Sequence, residues 1–287
     1  MAGEKRSTQV LYREWRDGNA EAGQIMAQRF ADWYYAISTS RLGETRGREP
    51  CEASCGMFGE GIVNIREGRD LVPWAHSVIQ AQIEAAGSRA TDGDEANAHT
   101  GHQKPKLLLA KARRDLSTEV ALLEATYGGN ASPDEIEQRA APLGGMPLGV
   151  LKARYSVKRW LRDNADVPFH VAPDQPDLDR GPLPLYESNR MASKDEEVSF
   201  ETWMISDIDL CKDIAEFAHF SIALRGGLPS EDDLLRVEAE RTRTEAAAEA
   251  GGGVGPTSTR VGMAMVAGLG IGGLLLIAAA AAYFFSR

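Results

Sequence analysis

SPDEIEQRAAPLGGMPLGVLKARYSVKRWLRD, residues 132–163, decides the fold. Ser132 is an N-cap residue, Pro133 suits a first helical position, and Glu135 completes a capping box, so a helix is expected to start here. Gly144 and Gly145 end it, and a second helix follows the turn. On that second helix Val150, Leu151, Tyr155, Val157 and Leu161 form an apolar stripe. Lys152, Arg154, Lys158, Arg159 and Arg162 are expected to cover the other face, with no acid before Asp163. A short turn followed by a basic helix is how a helix-turn-helix meets the DNA major groove and its flanking phosphates.

The same period continues on both sides. Lys106 to Tyr127 suits one helix. Upstream, Leu11, Trp15, Ala22, Ile25, Met26, Arg29/Phe30, Trp33 and Ile37 recur at steps of three and four, as do Leu71, Trp74, Ala75, Val78, Ile79 and Ile83. Asp17, Gly18 and Asn19 read as a turn between helices. Downstream, Ser193 can cap a helix with Glu196 placed to close the box, and Trp203, Met204, Leu210, Ile214, Phe217, Ala218 and Ile222 follow as apolar positions. No alternating β-branched run occurs, so the class expected is all-α. The layout expected is 1–89, a linker 90–105, 106–166, a Pro-rich linker 167–182, 183–228, a charged then Gly-rich linker 229–260, and a span 261–285. VAPDQPDLDRGPLP, Val171 to Pro184, should be extended and exposed. Each block is small for a core of its own.

Residues 261–285 contain no charged side chain. Twenty-five residues at helical rise reach about 37 Å, enough for a hydrocarbon core of about 30 Å. The expectation is a tail-anchored protein in the inner (cytoplasmic) membrane. Arg241, Arg243 and Arg260 before the span against Arg287 alone beyond it favour a cytoplasmic N-terminal body. The charged opening MAGEKRSTQVLYREWRDGN carries no leader-like apolar run. Gly268 and Gly272 give a small-xxx-small spacing through which two spans could form a homodimer.

The net charge of −10 is uneven: residues 1–165 hold 22 basic and 22 acidic side chains, the remainder 10 and 20. A low overall pI therefore does not exclude nucleic acid as a partner of the middle block. Three cysteines are too few for a disulfide scaffold. Cys51 and Cys55 have a zinc half-site spacing with His76, His99 and His102 as further candidates, but a site needs four ligands; two free thiols near a helix start are the preferred reading, a reversible disulfide is an alternative, and no metal is assigned. No phosphate-loop, dinucleotide, zinc-protease or nucleophile-elbow motif occurs, so no catalytic residue and no cofactor are assigned and an enzyme is not expected.

Residues 132–162, with Glu135-Ile136, Val150, Lys152, Arg154, Lys158, Leu161 and Arg162 on the pattern, resemble the promoter-reading domain of bacterial extracytoplasmic-function sigma factors. LYREWRDGNAEAGQIMAQRFADWYYAISTSRLGE (Leu11 to Glu44) and FGEGIVNIREGRDLVPWAHSVIQAQIEAAGSR (Phe58 to Arg89) resemble that family's N-terminal domain. The resemblance covers about 150 residues and implies promoter DNA and core RNA polymerase as partners. Where the family has an acidic segment ahead of its polymerase-gripping helix, this chain has REPCEASCGMFGEG (Arg48 to Gly61), which puts polymerase binding and strand melting in question. Residues 183–228 resemble the helical domain of zinc-type anti-sigma factors. Around Cys211 the metal positions would fall on Met204 and Ile208, or on Asp207 and Ile214, so such a domain would be metal-free.

Together these imply a membrane-tethered sigma-like regulator held inactive by its own acidic C-terminal part. Glu187, Asp195, Glu196 and Glu197 are the expected charge partners of Lys152, Arg154, Lys158 and Arg159. The alternative is a tail-anchored adaptor whose sigma-like helices bind protein partners and not DNA.

Overall fold

A computed structural model of the chain describes residues 6–88, 103–169 and 180–230, with 233–236, 239 and 242–243 beyond them. Among the described residues the regular elements are all helical, so the class is all-α. None of these helices is long and apolar enough to cross a membrane; the expected span 261–285, with Gly268 and Gly272, lies outside the described residues.

The first block holds α1 (Thr8–Arg16), α2 (Ala20–Gly61) and α3 (Gly68–Ser88). The expected turn separates α1 from α2: Gly18 takes φ 97, and Asn19 caps α2 by accepting from the Ala22 N–H at 3.2 Å. The element α2 is not one rod. Gly43, at φ 79 and ψ 166, breaks it into limbs 20–42 and 44–61 that fold back on each other. Phe30 and Phe58 pack with ring centroids 4.3 Å apart, where a straight helix would hold them about 42 Å apart. The limbs cross closely at Gly47, where a Cβ would meet the Ser38 carbonyl at 2.7 Å.

The middle block holds α4 (Gln103–Asp115), α5 (Ser117–Tyr127), α6 (Pro133–Ala140) and α7 (Leu148–Ala165). The single helix expected over 106–127 is two, because Leu116 (φ −125, ψ 52) leaves the helical region and turns its side chain toward the block's core. The capping box forms as expected: the Ser132 hydroxyl accepts from the Glu135 N–H at 3.3 Å, and the Glu135 carboxylate accepts from the Ser132 N–H at 2.8 Å. After α6, Gly144 (φ 110) and Gly145 (φ 77) make the turn. Gly149 then lets α7 start against the end of α6, since a Cβ there would meet the Ala140 carbonyl oxygen at 2.8 Å.

The third block holds α8 (Leu183–Glu187), α9 (Lys194–Met204) and α10 (Ile208–Arg225). Ser193 caps α9, though Glu196 reaches back to the Ala192 N–H and not to that of the cap residue. This block has no core of its own. Leu183, Tyr186, Phe200, Met204, Leu210, Cys211 and Ile214 join Trp33, Tyr34 and Ile37 of the first block. Further along α10, Phe217, Phe220 and Leu224 join Leu109, Val120, Leu123 and Val157 of the middle block. One helix thus belongs to both cores, and the third block sits between its neighbours. Trp203, expected in the core, is 40% exposed, and Phe200 takes the buried place. Of the stretch expected to be an exposed linker, Arg180, Leu183 and Pro184 are buried; 170–179 lie outside the described residues.

Candidate functional site

The candidate site is α7, the basic helix that follows the Gly144–Gly145 turn. Its five basic residues do not share one face. Lys152, Arg159 and Arg162 are exposed, Arg162 bonding its neighbour Asp163 at 3.0 Å. Arg154 and Lys158 are at 0% exposure. The expected five-residue basic face is therefore corrected to three. The physical reason lies across the interface, where α8 and α10 place carboxylates opposite α7.

Arg154 is held from two sides. Its Nε and Nη2 donate to the two oxygens of Glu187 at 2.9 and 2.8 Å, while Nη1 donates to Asp213 Oδ2 at 2.8 Å and Nη2 to the Asp213 carbonyl at 3.1 Å. Its guanidinium also lies over the Phe217 ring, 4.5 Å from the centroid. Lys158, one turn on, donates to Asp213 Oδ1 at 2.5 Å and to Glu216 Oε2 at 3.1 Å. Arg180 approaches the same Asp213 carboxylate at 3.4 Å, and the Tyr127 hydroxyl donates to Glu187 at 2.6 Å. Burial alone would raise the Asp213 carboxyl; the charges and hydrogen bonds of Arg154 and Lys158 outweigh it and hold the group at about 2. Burial beside Glu187 pushes the Tyr127 phenol well up, so it remains a donor. Charges this deep persist only when paired and hydrogen-bonded, as these are.

Of the four acids expected to close over the basic helix, Glu187 does so. Asp195, Glu196 and Glu197 do not, because they open α9, whose first turn favours acids and lies toward the first block. Glu196 caps, and Glu197 pairs with Arg41 and Lys194. Asp213 and Glu216 take the place those acids were expected to fill.

A second buried carboxylate ties the third block to the first. Glu201, at 0% exposure, accepts from Arg41 at 2.6 Å, Gln80 at 2.8 Å and the Tyr186 hydroxyl at 2.8 Å, and it meets His76 Nε2 at 2.7 Å. The Trp33 indole N–H donates to the Glu201 backbone carbonyl at 2.6 Å. Burial would raise this carboxyl; hydrogen bonding from His76 and the Arg41 charge bring it below its ordinary value.

Cys51 and Cys55 lie one turn apart on the second limb of α2, and His76 is committed to Glu201. The Cys51 thiol is pushed well up by its hydrogen bond with Cys55 and by burial, and the buried Cys211 thiol by burial. Neither is a reactive thiolate. Among the described residues no group of three His, Cys, Asp or Glu side chains could hold a metal ion; His99 and His102 lie outside them.

Sequence reasoning missed Asp213, Glu216, Glu201, Arg180 and Arg41. The signal for two of them was present: Asp213 falls among Leu210, Ile214 and Phe217, and Glu201 between Phe200 and Met204, in stripes otherwise apolar. No family model, no curated protein and no solved structure matches the chain.

Proposed function

We propose that this chain is a membrane-tethered, sigma-factor-like transcription regulator held closed by its own third block. The observation that carries this reading is the complete burial of Arg154 and Lys158 by Glu187, Asp213 and Glu216. Carboxylates occupy the positions that DNA phosphates would take on a basic recognition helix. Glu201 at the same time ties the block to the first domain, so the third block as a whole restrains both sigma-like parts. The tether is the span expected at 261–285, which would keep the body at the cytoplasmic face of the inner membrane. Promoter DNA is the partner this reading requires, and core RNA polymerase the second. No catalytic group, metal or cofactor enters it.

A second reading, a membrane adaptor that binds protein and not DNA, is favoured by one observation. The third block contributes Phe217, Phe220 and Leu224 to the middle core, as an obligate part of a fold does.

The two separate in a salt series of DNA binding by the full chain in mild detergent. Each cation that meets a phosphate contributes about −0.9 to the log–log slope. The closed chain offers Lys152, Arg159 and Arg162, for a slope of about −2.7 at most. Glu187→Gln with Asp213→Asn and Glu216→Gln should release two more cations, Arg154 and Lys158, and steepen it toward about −4.5. DNA retention by neither form would sink the regulator reading and leave the adaptor.

A further inference from the structure

Residues 180–190, with α8 at their centre, form a strap that touches all three blocks. Toward the first block, the Arg41 guanidinium lies over the Tyr186 ring, 5.6 Å from its centroid. Toward the middle block, Glu187 accepts from Arg154 and from Tyr127 of α5, and Arg190 donates to the Ala131 carbonyl at 3.4 Å. Within the third block, the Tyr186 hydroxyl donates to Glu201 of α9, while Arg180 reaches Asp207 at 3.5 Å and Asp213 of α10 at 3.4 Å. Tyr186 and Glu187 are consecutive, so the contacts to the first and middle blocks sit on one turn of helix.

Each charged group that the strap touches keeps another partner without it. Arg154 keeps Asp213 on Nη1 at 2.8 Å, and Asp213 keeps both Arg154 and Lys158. Glu201 keeps Arg41 and Gln80, Arg41 keeps Glu197 as well, and Asp207 still caps α10 by accepting from the Leu210 N–H. Moving α10 instead would strand Asp213 away from Arg154 and Lys158, and charges left buried without a partner are the costly kind. Apolar burial points the same way. The large apolar side chains that the strap buries are Leu183 and Tyr186, whereas α10 places Leu210, Ile214, Phe217, Phe220 and Leu224 in the two cores.

We propose that the closed body opens in two steps, with the 180–190 strap leaving first as one unit while α7 stays sealed against α10. The first step uncovers one edge of Arg154. Its Nε and Nη2 face the Glu187 carboxylate, whereas Nη1 faces the Asp213 carboxylate, so the freed edge can meet a DNA phosphate with the Asp213 pair intact. Lys158 remains covered until the second step. This rests on the closed-regulator reading and names how its basic helix is uncovered.

Native-state hydrogen exchange of the full chain in mild detergent, over low concentrations of urea, tests it. The reporters are the amides of Tyr186, Ser188, Asn189 and Arg190, all bonded to carbonyls within the strap, and those of α7. The strap amides should share one protection, on the order of a hundredfold or more below that of α7. It should change little with urea, because little surface opens, whereas protection of α7 should fall steeply. Glu216→Gln weakens the α7–α10 contact, which the first step leaves intact. That variant should lower α7 protection on the order of 5–30-fold and leave the strap unchanged. Glu187→Gln destabilises the closed body against both open forms, so strap and α7 protection should fall together by a similar factor. Should Glu187→Gln fail to fold, Tyr186→Phe removes only the hydroxyl bond to Glu201 and should act likewise. Equal protection and equal urea dependence of strap and α7 in the unaltered chain, or a strap that loosens with Glu216→Gln, would overturn the proposal. The readout contains no DNA, so failure of the regulator reading shows in the salt series and failure of the two-step opening shows here.

Discussion

Replacing Asp213 by asparagine removes one charge at a site with 0% exposure while keeping the side chain's shape. Held at about 2 and not at 3.8, the carboxylate contributes roughly 2 kcal/mol in its charged form. Its folded value is depressed, so this contribution is present above pH 3.8 and is lost as pH falls toward 2. At neutral pH the variant also leaves cations short of a partner, and breaking a buried pair costs about 3–5 kcal/mol. Arg154 keeps Glu187 and Lys158 keeps Glu216, so the lower end applies, about 3 kcal/mol. With a urea slope of about 2 kcal/mol per molar, the midpoint should fall by roughly 1.5 M. The assay is urea unfolding of the full chain in mild detergent, followed by tryptophan fluorescence. Asp163→Asn is the control, since the Arg162–Asp163 pair has side chains 38% and 54% exposed and should shift the midpoint little. Equal shifts for the two variants would refute the claim that Asp213 anchors the closed body.

Two further outcomes test the fold around the site. Gly47→Ala should cost about 1–3 kcal/mol, read as a lower thermal midpoint, because its Cβ would meet backbone atoms of Ser38 and force the limbs of α2 apart. Gly56→Ala, on the same limb with no atom near its Cβ, should instead gain about 0.5–1 kcal/mol. Ser132→Ala should cost about 1 kcal/mol and speed amide exchange at Glu135, whose N–H the serine accepts from.

The helices and their ends were legible because they rest on local chemistry. The Asp17–Asn19 turn, the Ser132–Glu135 box and the paired left-handed glycines 144 and 145 each stand where the residue types require. The hinge at Gly43 was not legible. The apolar period runs on to Ile37, several glycines follow, and only contact between the limbs shows which glycine turns the chain. The break at Leu116 was hidden for a related reason: leucine is a good helix former, and burial in the tertiary core selects its conformation there.

The site was half legible. That α7 is basic and that the acidic third block closes on it follow from charge distribution, and Glu187 was found that way. Which basic residues turn inward depends on the partner surface. Arg154 and Lys158 are one turn apart and face Asp213, whereas Lys152 and Arg159 fall on the open side. An acid alone in an apolar stripe, opposite two cations one turn apart, is the pattern that marks such a junction in advance.

Closure itself is tested most directly by amine labelling of the folded full chain, with mass spectrometry comparing Lys152 and Lys158 on the same helix. Lys152 is exposed and Lys158 is at 0% exposure between Asp213 and Glu216. Lys152 should modify rapidly, while Lys158 should stay protected until the body unfolds, by on the order of a hundredfold or more given a stability of several kcal/mol. Equal labelling rates at the two lysines would contradict the closed body.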